Sequence, residues 1–267
     1  MTQWTWDVTL YEGSARYYTE GRMPYSTELA RTIREQTRDG RLLDVGCGPG
    51  SLTLLLAPLY AEVVGVDPDP GMLAEAARRS TVDNVTWRLA RAEELPADLG
   101  GFDVVTFAQS FHWMDRPLVA ERIREHLAND GYWVHIGATT HQGVEGDDPL
   151  PWPRPPWDAI KALVEEHLGS TRRAGQGVLP DGTAGGEEDV LRAAGYRGPT
   201  RIDVGGGEVV ERSTDEIVAA VFSLSGSAPH LFGDRISDFE ADLRALLGPG
   251  PFAERRREIA LVIWRPQ

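Results

Sequence analysis

The stretch Leu42-Leu43-Asp44-Val45-Gly46-Cys47-Gly48-Pro49-Gly50 constrains this chain more than any other. A short apolar run breaks into three glycines at alternate positions, and residues 51–57 then read as a helix. Strand, glycine turn and helix form the nucleotide-binding corner of a doubly wound α/β sheet, where ligands sit at the carboxyl ends of the strands. The glycines let the backbone turn tightly and let a ligand lie against it, which a Cβ would prevent.

Spacing narrows the ligand. A dinucleotide fingerprint would place its third glycine or alanine at position 51, where this chain has Ser51. Asp44 would face a pyrophosphate poorly, because like charges repel, but it suits a ligand carrying an ammonium and a sulfonium. A P-loop is excluded: no Gly-Lys-Ser/Thr follows, and Lys161 is the only lysine in the chain. A second apolar strand, Val63-Val64-Gly65-Val66, ends in Asp67 about 20 residues after the turn begins, where a ribose-binding acid belongs. One carboxylate can accept from both vicinal hydroxyls of a ribose.

The segment Asp44-x-Gly46-x-Gly48-x-Gly50 followed by Asp67 resembles the first motifs of class I S-adenosylmethionine-dependent methyltransferases, of the small-molecule type that includes trans-aconitate methyltransferases. The resemblance implies S-adenosylmethionine as cofactor. It places Asp44, Gly46, Cys47, Gly48, Gly50, Asp67 and Pro68 around it, with Met72 flanking the adenine. In such proteins an adenine-contacting loop usually reads Asp-Ala-x-x-Leu-Pro. Here Ala90-Arg91-Ala92-Glu93-Glu94-Leu95-Pro96 puts Arg91 where the carboxylate would stand, which shifts the contact to Glu93 or to the backbone around Ala92. An N-terminal Tyr-Tyr…Arg-Pro-x-Tyr-Pro segment often closes over the methionine end. The match is Tyr17-Tyr18-x-x-Gly21-Arg22-Met23-Pro24-Tyr25-Ser26, implying Tyr17 at the sulfonium and Arg22 at the cofactor carboxylate. Gln109, at the end of the fourth strand, belongs to the same cofactor set.

The resemblance also implies a seven-stranded, mostly parallel, Rossmann-like sheet with its last strand antiparallel between the fifth and sixth, plus helical lid insertions. The periodicity supplies the pieces: a helix over 26–38, a helix over 69–80, strands at 84–89, 101–108 and 132–137, and a helix over 116–127. Residues 200–204 and 208–211, joined by three glycines, read as the sixth strand or a hairpin. A helix follows from Thr214, capped by Ser213, another runs over 234–247, and residues 258–264 form the last strand. His135 alternates with apolar neighbours and reads as a core residue. The expected organisation is one domain over 1–267: an arm and helix at 1–40, a cofactor-binding core at 41–138, and substrate-lid insertions at 139–185 and 214–247. The first insertion is dense in proline and tryptophan (Trp152, Trp157), and its glycines at 175, 177, 182, 185 and 186 mark loops. Trp4, Trp6, Tyr11, Tyr17 and Tyr18 make the arm an aromatic one, suited to packing as much as to a site.

Composition sets the outer limits. The 267 residues, 41% of them hydrophobic, suffice for a sizeable core, and no apolar run is long enough to span a membrane. The first residues lack the basic and apolar regions of a signal peptide. One cysteine, Cys47, rules out an internal disulfide and fits a reducing cytoplasm. A balance of 27 basic to 41 acidic residues argues against a nucleic-acid partner. The expected partner is a small-molecule acceptor, with the protein a monomer or homodimer and no metal. The implied reaction is in-line displacement at the sulfonium methyl, in which alignment supplies much of the acceleration. A base helps if the nucleophile is a hydroxyl, and His112 and His141 are the two candidates. An NAD-linked oxidoreductase and a cofactor-binding protein without chemistry are the alternatives.

Overall fold

Strand β1 (Arg41–Val45) buries every residue after its first, because helices cover both faces of the sheet it belongs to. The computed structural model describes residues 7, 9–171, 173, 174, 177, 178 and 185–267. In it, β2 (Glu62–Asp67), β3 (Val85–Leu89), β4 (Phe102–Ala108) and β5 (Leu127–Gly137) join β1 in parallel. Two-residue strands β6 (Arg173–Ala174) and β7 (Gly177–Val178) pair with each other. Beyond them lie β8 (Tyr196–Val204), β9 (Val209–Arg212), β10 (Phe252–Arg255) and β11 (Ile259–Pro266). The main sheet has seven strands in the order β3-β2-β1-β4-β5-β11-β8, with β11 antiparallel to both neighbours. This is the expected doubly wound sheet.

Alternation along the strands divides the core. Leu43, Val45, Val105 and Phe107 face α5 (Arg116–His126) and α7 (Glu187–Ala193), while Leu42, Val104, Val134 and Ile136 face α2 (Thr27–Gln36) and α3 (Ser51–Leu56). Helix α4 (Pro70–Arg79) starts where Asp69 accepts from the N–H groups of Gly71 and Met72, with Pro70 in the first turn. A third core unites α6 (Trp157–Leu168), α8 (Thr214–Phe222) and α9 (Ile236–Leu247) around Phe222, Phe232 and Phe239. Ser213 and Glu216 close a reciprocal capping box at the start of α8. Helix α1 (Ala15–Gly21) packs across α8. Among the described residues no helix is long and apolar enough to cross a membrane.

Two expectations change. Residues 209–212 do not form a hairpin with β8; the glycine turn carries the chain off the sheet, and β9 pairs antiparallel with β10 instead. His135, read as a core residue, is only partly buried, with 15% of its side chain exposed and its Nδ1 3.4 Å from Glu187 at the start of α7. Trp4, Trp6, Gly175 and Gly182 lie outside the described residues.

The N-terminal arm, the segment that follows β5 and the insertions are tied together by a buried ion pair between β9 and β10. Arg212 Nη1 donates to Glu254 Oε2 at 2.7 Å, and the same guanidinium donates to the carbonyls of Gly21, His141 and Glu216. Glu254 Oε1 accepts from Gly143 N and from Trp157 Nε1. Five segments distant in sequence thus meet at two side chains only 2% and 4% exposed. Removing one partner strands the other charge out of water. Arg212→Met is therefore expected to cost roughly 3–5 kcal/mol, read as a fall in the urea midpoint. An unchanged midpoint would show that the pair does not hold these segments together.

Candidate functional site

A cavity of about 740 Å³, measured to its open mouth, lies over the carboxyl ends of β1, β2 and β4. Its floor is the glycine turn after β1. Gly46 and Gly48 take left-handed φ of 68° and 54°, and the Gly46 and Cys47 N–H groups both donate to Val66 O, which binds the turn to β2. The two glycines do different work. A Cβ on Gly46 would stand 2.5 Å from the Ser110 Cβ, whereas one on Gly48 would meet nothing within 4 Å. Gly46 admits a protein neighbour and Gly48 leaves room for a ligand.

Asp67 closes β2 at the cavity wall. Its Oδ2 accepts from Gly48 N at 2.8 Å and its Oδ1 from Asp69 N at 2.9 Å. Burial pushes its pKa up to about 7, against the pull of those two N–H groups. Pro68, Met72, Ala92 and Glu93 continue the wall. Glu93 Oε1 accepts from Asp115 N at 2.9 Å, and its Oε2 lies 3.6 Å from Arg91, which also lines the cavity. On the far side is Gln109, the only non-glycine residue with left-handed φ (57°) among those described. Its N–H and its side-chain amide both donate to Ile136 O, so β5 holds the strained backbone in place. Gly46, Gly48, Asp67, Pro68, Met72, Ala92, Glu93 and Gln109 are thus brought together at one cavity.

Five of the cofactor residues expected from sequence lie elsewhere. Asp44 is buried beneath the turn, where Oδ2 accepts from Thr53 Oγ1 at 2.6 Å and Oδ1 from Thr106 Oγ1 at 2.7 Å. Burial raises its pKa and the two hydroxyls oppose the rise. Asp44 therefore braces β1 against α3 and β4 and does not line the cavity. Cys47 is also buried, its thiol pushed well up by burial, and Gly50 sits beneath the Trp87 ring. Tyr17 turns away and packs on Phe222, with centroids 4.9 Å apart. Tyr18 faces the cavity in its place. Arg22 lies over the Tyr18 ring at 4.5 Å and donates to Ser223 Oγ and O.

Tyr18, Tyr11 and Trp113 close one side of the cavity as an edge-to-face series, at 6.1 and 6.4 Å. Sequence reading missed this wall because adjacent helical residues point about 100° apart, so only one of Tyr17 and Tyr18 can face in. Arg22, four residues after Tyr18 and on the same helix face, was the available signal.

Neither candidate base lines the cavity. His112 leans on Trp113 with centroids 4.8 Å apart. His141 packs edge-on to Trp157, and burial together with Arg22, Arg212 and Arg257 pushes its pKa down to about 3. It stays neutral and is too weak a base for work near neutral pH. No cluster of three or more metal-ligating side chains occurs among the described residues.

Residues 42–131 match the family described as a methyltransferase domain. An uncharacterized methyltransferase of Mycobacterium tuberculosis is 37% identical over 110 residues, 41% of this chain and 44% of that protein. A trans-aconitate 2-methyltransferase of Methylobacterium radiotolerans is 37% identical over 98 residues, 34% of this chain and 36% of that protein. The chain thus spans less than half the length of these curated relatives. The crystal structure of the N-methyltransferase NodS from Bradyrhizobium japonicum, in complex with S-adenosylhomocysteine, aligns with 97% of this chain and 98% of its own at a TM-score of 0.50. At 11% identity that likeness shows the fold alone. Residues 42–131, which carry the strand–glycine turn–helix corner, are therefore similar to a methyltransferase domain, set within the seven-stranded sheet.

Proposed function

We propose that the chain transfers a methyl group from S-adenosylmethionine to a small-molecule acceptor. One observation carries the reading: the Asp67 carboxylate and the open face of Gly48 share one cavity wall, joined by a 2.8 Å hydrogen bond. That wall fits the cofactor. Asp67 keeps lone pairs for two ribose hydroxyls, Met72 and Ala92 offer an apolar slot to the adenine, and the aromatic wall of Tyr11, Tyr18 and Trp113 suits a sulfonium. The cofactor supplies an electrophilic methyl group on that sulfonium. The chain's own part is to bind, orient and exclude water, with Gln109 and the glycine turn fixing the far end by backbone groups. Asp44, Thr53 and Thr106 act beneath the turn as its brace. Because the two histidines stand off the cavity, we read the chemistry as alignment, without a strong base at the acceptor.

The same proposal takes 1–267 as one methyltransferase unit, with 41–138 as the cofactor core and 139–185 and 214–247 as the acceptor's cover. It includes a cytoplasmic location and a monomer or homodimer. Two of the relatives are named for their acceptors, trans-aconitate and malonyl-[acyl-carrier protein], and the first supports a small-molecule acceptor here. The relatives and the solved structure described above are all named as methyltransferases, which favours methyl transfer over an NAD-linked oxidation.

Two outcomes test the reading. Gly48→Ala, with a left-handed φ that costs an L-residue about 1–2 kcal/mol, should leave the chain folded and abolish calorimetric binding of S-adenosylhomocysteine. Full retention of affinity would move the ligand away from the turn. Asp67→Ala should weaken that binding by roughly 1.5–3 kcal/mol through loss of charge-assisted hydrogen bonds. The wild-type affinity should also depend on pH with a definite sign. Burial raises the Asp67 pKa to about 7, and only the carboxylate accepts from both hydroxyls. Binding should therefore release a proton, tighten as pH rises towards about 7 and level off above it. A flat profile between pH 5.5 and 8.5, or one persisting in Asp67→Ala, would remove Asp67 from the ribose.

A further inference from the structure

A second cavity, about 600 Å³ to its open mouth, lies where segments leave the sheet beyond β5. Its walls are the strap over 23–28, Thr139 and Thr140 after β5, the turn at Gly205 and Gly206, and Arg256 and Arg257 ahead of β11. It shares no lining residue with the cavity over the glycine turn.

The charges of this cavity are arranged by depth. Glu28 and Glu208 are exposed at its rim, while Arg256 and Arg257 are half-buried. Arg256 is answered by Glu208 at 3.5 Å and donates to Pro24 O. Arg257 donates through Nε to a neutral acceptor, Gly143 O at 3.2 Å, and no carboxylate stands within salt-bridge distance of it among the described residues. Behind it, the charges of Arg257, Arg22 and Arg212 converge on the His141 ring. Glu254 balances Arg212, and Arg22 is held by Ser223 Oγ and O, which carry no charge. Of the two guanidiniums that line the cavity, Arg256 is thus paired and Arg257 lacks a counter-charge among the described residues. Rim glutamates in water are screened, whereas charges at depth are not, so the cavity is electropositive inside.

Apolar side chains, Met23, Val204 and Ile259, share the same walls. A ligand that satisfies both features has a charged planar head and a hydrocarbon body. A guanidinium fork matches a carboxylate in plane, and the two rim glutamates disfavour a dianionic phosphate more than a monoanion. We propose that this cavity is a binding site for a small organic carboxylate, seated on Arg257 with its hydrocarbon part against Met23, Val204 and Ile259. The site is separate from the cofactor cavity, and its occupancy does not depend on the methyl-transfer reading.

Backbone-amide NMR titration of the full chain with sodium benzoate, at constant ionic strength, tests this. Benzoate should bind with millimolar or better affinity and shift the resonances of Thr139, Thr140 and Gly205. Benzamide, its neutral isostere, and inorganic phosphate should bind at least tenfold more weakly. Arg257→Gln should weaken benzoate at least tenfold. Glu28→Arg alters only the exposed rim, so it reports even if Arg257→Gln fails to fold, and it should tighten benzoate at least threefold. Saturating S-adenosylhomocysteine should leave benzoate affinity within threefold. Equal binding of benzamide, an unchanged affinity in Glu28→Arg, or competition with S-adenosylhomocysteine would each overturn the proposal.

Discussion

The site depends on the hydrogen bond from Gly48 N–H to Asp67 Oδ2. Parallel strands end with backbone groups that their neighbours no longer satisfy, and the loops beyond them must be held by something else. Here Val66 O takes the N–H groups of Gly46 and Cys47, and the Asp67 carboxylate takes those of Gly48 and Asp69. Two consecutive loops are thereby fixed to one strand end. A carboxylate placed to hold a loop is at the same time placed to hold a ligand. Its burial raises its pKa, and hydroxyl donors from a ligand would lower it again.

Beneath this bond lies a second carboxylate with a different task. Asp44 is sealed from solvent and accepts two hydroxyl bonds, from Thr53 on α3 and Thr106 on β4. Ser110 adds a 2.6 Å bond to Val45 O, tying the end of β4 to β1. The turn is therefore rigid because polar groups under it are paired. An aspartate in the first motif can serve the cofactor site without touching the cofactor, by fixing the backbone that does.

Strands β1, β2 and β4 were legible because each is a short apolar run bounded by turn residues, and burial on both faces leaves little freedom in such a run. Strand β8 was read only in its second half. Its first part carries Gly198-Pro199 between arginines, a composition an edge strand tolerates and a sequence pattern cannot claim. The pairing of β9 with β10 spans some 40 residues and carries the Arg212–Glu254 ion pair, and a buried charge pair has no periodicity to announce it. In the site, glycine and acid spacing located the cavity floor and wall. Which tyrosine faces in, and which glycine faces a ligand, depended on helix phase and on neighbours such as Ser110 that lie far away in sequence.

The central claim, that the cavity over the glycine turn holds the adenosyl cofactor through Asp67, is tested most directly by a crystal structure of the chain grown with S-adenosylhomocysteine. The account expects the ribose hydroxyls within about 2.6–3.2 Å of the Asp67 carboxylate, with the ligand against the open face of Gly48 and the aromatic wall of Tyr11, Tyr18 and Trp113 beside the sulfur. Ligand density at any other place, or an empty cavity at saturating ligand, would contradict it.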